Sequence, residues 1–428
     1  VIIPTKNNTF ILTFIISLAM VFVLPFILSV AEYAKLMLLI ALINFLVSTT
    51  SLSATPFIIR NYNLIDKLHF NLSKSIKVLF LVGMITSFFL LLVYSVLQYP
   101  IFNYISAVNV YLLVVSLSIG VVASGYYRAA HKAIDYFVVI AGNRLLLLAL
   151  IFFWMMFFDS FNSEIYIALF LISSFIVLAA VRFRVFVPTN KNTLVGYREV
   201  FTFCIPLAIT NSILMLMPLF ERSVLTIFYS DNVVATFVFN LEVSMKVVAG
   251  VLVVLKVIVW PAIVSSDGVL ERFNYKNNMS KITLLASVLL VISVVASIFL
   301  YDLILDYVGL GSYKNKSVFI TSLFYAYLVV IGYMINISLM LTGSTKIVAY
   351  SSIIFVLLYS ILVYFLSLSG VEIKYISIAC VLSYLVGLIF SVVANLRYFR
   401  QKYIKLIILK VDSIAQPHAT PRSVGVNM

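Results

Sequence analysis

About twelve runs of roughly 20 apolar residues, each long enough for an α-helix to cross a bilayer core, fill the chain from Thr9 to Ala394. They cover approximately 9–30, 35–56, 78–98, 105–125, 134–158, 165–187, 200–229, 233–263, 281–301, 317–342, 347–368 and 374–396. Numbering the gaps between runs sorts the lysines and arginines. The even gaps and the two ends hold 21 of them, among them Arg60, Lys77, Arg128, Arg182, Arg198, Arg272 and Arg397. The odd gaps hold 4: Lys35, Lys314, Lys316 and Lys374. Such a bias places even gaps and both termini on the cytoplasmic side of a cell inner membrane.

With 64% hydrophobic and 10% charged residues, and a mean hydropathy of +1.16, the chain lacks the charged shell that a soluble domain needs. Its formal net charge of +14 therefore reads as membrane topology, with attraction of the C-terminal segment to anionic lipid head groups, and not as nucleic-acid binding. The two cysteines, Cys204 and Cys380, fall inside runs and support neither a disulfide framework nor a thiolate metal site. No Walker lysine motif or dinucleotide fingerprint is present, so nucleotide hydrolysis and redox chemistry have no support.

The odd gaps are short, down to Ala31–Ala34, and none could form a domain. They carry scattered acids (Asp159, Glu164, Asp231, Asp302, Asp306, Glu372) without the His or paired carboxylates of an enzyme. The longest even gap divides the chain into two sets of six runs. A weak echo joins them: Leu24-Pro25-Phe26 before a turn with Glu32, and Met217-Pro218-Leu219 before a turn with Asp231. The expected fold is all-α and membrane-integral, with about 12 spans in two six-helix lobes related by a pseudo-two-fold along the membrane normal. The lobes are residues 1–187 and 200–396, joined by a linker at 188–199. Residues 397–428 form a basic segment whose end, from Val411, is polar, contains Pro417 and Pro421, and reads as disordered.

Charges inside the runs are costly and mark function or pairing. They are Arg144, Glu221, Arg222, Glu242, Lys246 and Lys256. Helix rise puts Glu221, Arg222 and Glu242 in an upper layer, and Arg144 with Lys246 about 20 Å from the outer edge. Arg222 and Glu242, on consecutive antiparallel helices, can pair; Glu242 and Lys246 stand at i, i+4 with the acid first. Lys256, beside Trp260, reads as a snorkelling interfacial lysine. The excess of base over acid suits a buried anion such as a diphosphate, gripped by Arg144, Lys246 and Arg222. Glu221 and Glu242 are left as the acids of structural or coupling ion pairs. Asn44, Asn211, Asn240 and Asn336 read by default as helix-packing groups.

The stretch Phe201–Val264 resembles the second-half signature of polysaccharide and O-antigen flippases, within the multidrug, oligosaccharidyl-lipid and polysaccharide exporter superfamily. It contains Phe203-Cys204-Ile205-Pro206, Glu221-Arg222, Tyr229-Ser230-Asp231-Asn232 and Trp260-Pro261. Leu24-Pro25, Ala31-Glu32-Tyr33, Pro56, Arg60 and Leu341-Thr342-Gly343-Ser344-Thr345-Lys346 agree in outline. The resemblance implies a non-enzymatic flippase. Its cargo is a lipid-diphosphate-linked oligosaccharide on undecaprenyl diphosphate, moved from the cytoplasmic to the periplasmic leaflet by alternating access. It also implies coupling to H+ or Na+ without a bound cofactor. Besides membrane lipids, its partners are a polysaccharide polymerase and chain-length proteins. The alternatives are a small-molecule antiporter of the same superfamily and a membrane-embedded polymerase.

Overall fold

The computed structural model describes residues 6–58, 72–97, 104–129, 132–158, 160–181, 197–264, 272–341 and 345–415. Hydrocarbon offers backbone groups no water, so each span closes its own hydrogen bonds as a helix. The helices of the first half are α1 (Lys6–Ile27), α2 (Val30–Ser51), α3 (Leu72–Leu97), α4 (Tyr104–Ala129), α5 (Ala133–Phe137), α6 (Asn143–Phe157) and α7 (Ser163–Ala180). A π-helical turn, Val138–Gly142, joins α5 to α6, and the two form one span. The second half has α8 (Tyr197–Phe228), α9 (Asp231–Val264), α10 (Arg272–Val308), α11 (Lys316–Leu341), α12 (Thr345–Leu368) and α13 (Ile373–Ala415). Ten segments are long and apolar enough to cross a membrane, and α1 and α11 contribute shorter apolar stretches. This is an all-helical, multi-pass membrane fold of about 12 spans.

Packing makes the repeat explicit. In the first lobe α1 packs on α6, α6 on α7, α4 on α7, α2 on α4, α2 on α3, and α3 on α4. Six spans further on, each pair recurs: α8 on α12, α12 on α13, α11 on α13, α9 on α11, α9 on α10, and α10 on α11. The lobes meet where α2 lies against α8 and α1 against α9, two contacts that a two-fold along the membrane normal exchanges. A short motif echo in the sequence thus becomes a pairwise match of neighbours.

Two spans run further than the hydropathy expectation. Helix α10 continues through Tyr301, Asp302 and Asp306 to Val308, so these residues are helical and not loop. Nothing between Arg272 and Val308 breaks a helix; Gly309, at φ 78°, ends it in the left-handed region that glycine alone enters freely. Asp302 pairs with Lys316 (2.7 Å) and Lys314 (3.2 Å), and Asp306 with Lys314 (3.2 Å). These carboxylates hold the Lys314 ammonium above its usual range, Asp306 first. Likewise α13 reaches Ala415, so the tail expected to be disordered from Val411 begins as helix. The cause is local: no Gly or Pro stands between Gly387 and Pro417.

Helix α2 ends in an irregularity that the sequence does not announce. Leu52 and Ser53 have φ of 42° and 54°, a region costing a non-glycine residue about 1–2 kcal/mol. The second lobe docks on this turn. Asn211 donates to Ser53 Oγ (2.8 Å), the Cys204 thiol faces the Ser53 carbonyl (4.0 Å), and Thr49 donates to Ser212 (3.3 Å). Asn211 is packing glue as expected, and the elements it joins belong to different lobes.

Close helix approach depends on small residues, since lipid tails provide no hydrophobic drive. A Cβ at Gly83 of α3 would lie 2.3 Å from the Thr50 carbonyl oxygen of α2, beside the buried Thr50–Ser87 hydrogen bond. Gly83→Ala should therefore cost about 1–3 kcal/mol and lower the melting temperature by several degrees. Gly311→Ala, where a Cβ meets open space, should be silent. Differential scanning fluorimetry of the two variants checks this; an unchanged Gly83→Ala would mean that α2 and α3 pack less tightly.

Candidate functional site at the seam between lobes

Arg222 and Glu242 meet at the seam where α2 of the first lobe lies against α8 and α9 of the second. Pro218 in α8 lacks a backbone N–H, so the Leu214 carbonyl loses its helical partner one turn before Glu221 and Arg222. Adjacent residues on a helix diverge by about 100°, and these two side chains leave in different directions. Arg222, 4% exposed, reaches Glu242 of α9 (Nη2 to Oε1, 2.7 Å) and donates from Nη1 to the Met37 carbonyl of α2 (2.5 Å). One guanidinium thus joins three helices and both lobes, using the fork geometry that a lysine lacks. Among the described residues its Nε has no hydrogen-bond partner, nor has the buried Tyr33 hydroxyl, which lies within electrostatic range of Glu242 and Arg222.

Glu221 turns the other way, into the second lobe, and is completely buried. The Tyr359 hydroxyl of α12 donates to its Oε1, while Oε2 has no hydrogen-bond partner among the described residues. Tyr325 of α11 and Cys380 of α13 complete this pocket, each within electrostatic range of Glu221. Glu221 and Arg222 are therefore neighbours in sequence but not an ion pair.

Deeper in the seam Lys246 lies within electrostatic range of Glu242 and of Arg144, which comes from α6 in the opposite lobe. Both cations are half-buried, and neither makes an ion pair or hydrogen bond among the described residues. Glu242, 29% exposed, is already held by Arg222, so the i, i+4 spacing to Lys246 does not become an ion pair. Arg144 and Lys246 are thus two cations, one from each lobe, without an ion partner among the described residues.

Asn240 behaves as packing glue: it donates to the Tyr313 carbonyl (2.9 Å) and accepts from Tyr301 (2.6 Å), tying α9 to the α10–α11 turn. The side chains of Lys256 and Asn336 lie outside the described residues. Tyr359 and Tyr325 escaped sequence reasoning, because tyrosine is so abundant here (26 residues) that composition cannot single out two. Aromatic contacts join the lobes: Phe22 meets Phe239 and Tyr33 meets Tyr313 toward the odd turns, and Phe57 meets Phe203 toward the even ones.

No sequence-family profile matches the chain, and no curated protein does. Solved structures share its fold. The chain is similar to an inward-facing multidrug resistance MATE family transporter of the MOP superfamily, with TM-score 0.57 and 17% identity over 92% of this chain and 95% of that one. An outward-facing MATE family transporter of the same superfamily gives TM-score 0.54 and 14% identity over 93% and 97%. A MOP superfamily transporter from Pyrococcus furiosus, described as having a binding pocket of reverse polarity, gives 0.52 and 14% over 92% and 96%. At such identities the likeness establishes the fold.

The clamp is open to direct test. Removing one member leaves a charge without its partner, at a cost of roughly 3 kcal/mol. Arg222→Ala and Glu242→Ala should accumulate poorly in membranes. The reversed pair Arg222→Glu with Glu242→Arg should recover part of the loss, though the Met37 bond is not restored. Membrane abundance by immunoblot decides; no recovery in the double variant would assign the stabilisation to Met37 rather than to the ion pair.

Proposed function

We propose that this chain is a secondary transporter working by alternating access, and that it carries an anionic small molecule bound between its lobes at Arg144 and Lys246. The observation that carries this reading is that Arg144 and Lys246, one from each lobe and within electrostatic range of one another, have no ion pair among the described residues. An anion between them satisfies both and draws the lobes together. Release on either side requires one end of the seam to part, and the mirrored α2–α8 and α1–α9 contacts allow the lobes to rock about the site. The likeness to multidrug transporters supports small-molecule antiport. The neighbour with reverse polarity supports the idea that this fold accepts pockets of either sign.

The second reading, translocation of a lipid-diphosphate-linked oligosaccharide, is favoured by the same cations and by the sequence resemblance. Solved structures of similar fold speak for it less directly than for small-molecule export. Glu221 is the proposed coupling group. It is sealed in the second lobe with one unpartnered oxygen, so it can hold a proton or a sodium ion without contacting substrate at the seam. On the topology that the basic residues imply, the even-turn rim and both termini face the cytoplasm.

Counterflow of a sulfonated dye and a quaternary-ammonium dye into proteoliposomes tests the reading. The native chain should favour the sulfonate. Arg144→Ala or Lys246→Ala should cut sulfonate flux at least tenfold at normal abundance, with Arg144→Lys recovering part of it. Glu221→Gln should spare exchange but abolish gradient-driven accumulation. Preference for the ammonium dye would overturn the anionic site. Flux of neither dye, with surface glycan lost on gene deletion, would favour the lipid-linked substrate.

A further inference from the structure

The span that begins with α2 breaks at Leu52 and Ser53, and residues 54–58 are helical again. Its repeat counterpart α9 runs unbroken from Asp231 to Val264, so the break belongs to the first lobe and not to the repeat. A left-handed backbone at two non-glycine residues persists only where the surroundings over-determine it. Here both flanks are fixed inside the first lobe. Before the turn, the Thr50 and Ser87 hydroxyls are 2.6 Å apart, and a Cβ at Gly83 would run into the Thr50 carbonyl. After it, Thr55 donates to the Val121 carbonyl of α4 (3.0 Å), and a Cβ at Gly125 would come 2.8 Å from Thr55 Cγ2. Between these anchors the turn is a fixed knuckle of the first lobe.

The polar groups of the knuckle serve the other lobe. Asn211 of α8 donates to the Ser53 hydroxyl oxygen, and the Cys204 thiol faces the Ser53 carbonyl. Cys204 and Asn211 are about two helical turns apart, hence on one face of α8, and together they bracket Ser53. Phe203 closes beside them on Phe57, with ring centroids 5.7 Å apart. Every group in this contact is neutral, and Cys204 is fully buried.

We propose that the Leu52–Ser53 knuckle is the latch of the even-turn end of the seam, a preformed catch that seats on the Cys204–Asn211 face of α8 and lets go, unchanged in shape, when that end opens. This rests on reading the chain as an alternating-access transporter. A catch of neutral hydrogen bonds releases without stranding a charge, and one that keeps its shape can reseat in every cycle. Cys204 is its reporter, since the thiol is sealed while Ser53 is seated. Cys380, buried inside the second lobe, reports global unfolding in the same molecule.

The test treats the full chain, purified in detergent, with iodoacetamide and reads both cysteines by peptide mass. In the native chain Cys204 should react faster than Cys380. Ser53→Ala and Asn211→Leu should each raise the Cys204 to Cys380 rate ratio several-fold, and the double variant should exceed neither, because both remove one bond. Leu52→Ile keeps the side-chain size but disfavours the left-handed backbone; a preformed catch leaves the ratio within twofold of native. A several-fold rise would mean that the turn rewinds on opening, which overturns the preformed catch. Ratios unchanged in Ser53→Ala and Asn211→Leu overturn the latch. A disulfide between Thr49→Cys and Ser212→Cys, whose native hydroxyls lie 3.3 Å apart, should slow Cys204 at least tenfold until reduced. If it does so while the Ser53 and Asn211 variants change nothing, alternating access stands and the latch does not. If native Cys204 reacts no faster than Cys380 and the cross-link has no effect, this end does not open and the transport reading itself fails.

Discussion

A charge inside hydrocarbon can only turn inward, and the architecture of this protein follows from where its few buried charges turn. Arg222 is the clearest case. Its two terminal nitrogens engage Glu242 and the Met37 carbonyl, so one side chain neutralises itself and fixes α2, α8 and α9 together. Those helices are the ones the pseudo-two-fold places at the interface. Removing Arg222 would unseat the axis of the molecule, not a peripheral contact. Lys246 and Arg144 lack such an arrangement. Glu242 is paired with Arg222 alone among the described residues.

The lobes are joined by interactions of different strength at different heights. On the side of the odd turns, an ion pair and packed aromatic rings bind them. On the other side, neutral hydrogen bonds at Thr49 and Ser53 and the strained turn at Leu52 do so. Neutral bonds next to a strained turn separate at lower cost than a desolvated ion pair. The Arg222 clamp is thus the stronger of the two joints. Glu221, facing away from the seam, can change charge without disturbing this clamp directly.

Much of the fold was legible in the sequence because hydrocarbon thickness and the sorting of lysine and arginine set span number, and an even count per half sets a parallel repeat. The Arg222–Glu242 contact was legible too, since antiparallel neighbours with charges at matching depth have few other partners. Helix ends were less legible. Hydropathy marks where lipid stops, whereas Asp302 and residues beyond Val411 remain helical because no glycine or proline intervenes. The docking of Asn211 on a left-handed turn, and the π-turn before Asn143, arise from packing between distant spans and leave no local signal. Glu221 and Arg222, adjacent in sequence, serve separate environments, because a helix turns by about 100° per residue.

The central claim is that the seam selects negative charge, and the melting temperature of the purified chain in nonionic detergent reads it most directly. The comparison needs two amphiphiles with one lipid tail, differing only in a diphosphate or a quaternary-ammonium head group. A ligand present at about 100 times its dissociation constant adds roughly 2.7 kcal/mol to the folded state, enough to move the transition by several degrees. The diphosphate should raise the melting temperature of the native chain, and the shift should vanish in Arg144→Ala with Lys246→Ala, while the ammonium has no effect on either. Stabilisation by the ammonium alone, or a diphosphate shift that survives loss of both cations, would contradict the account.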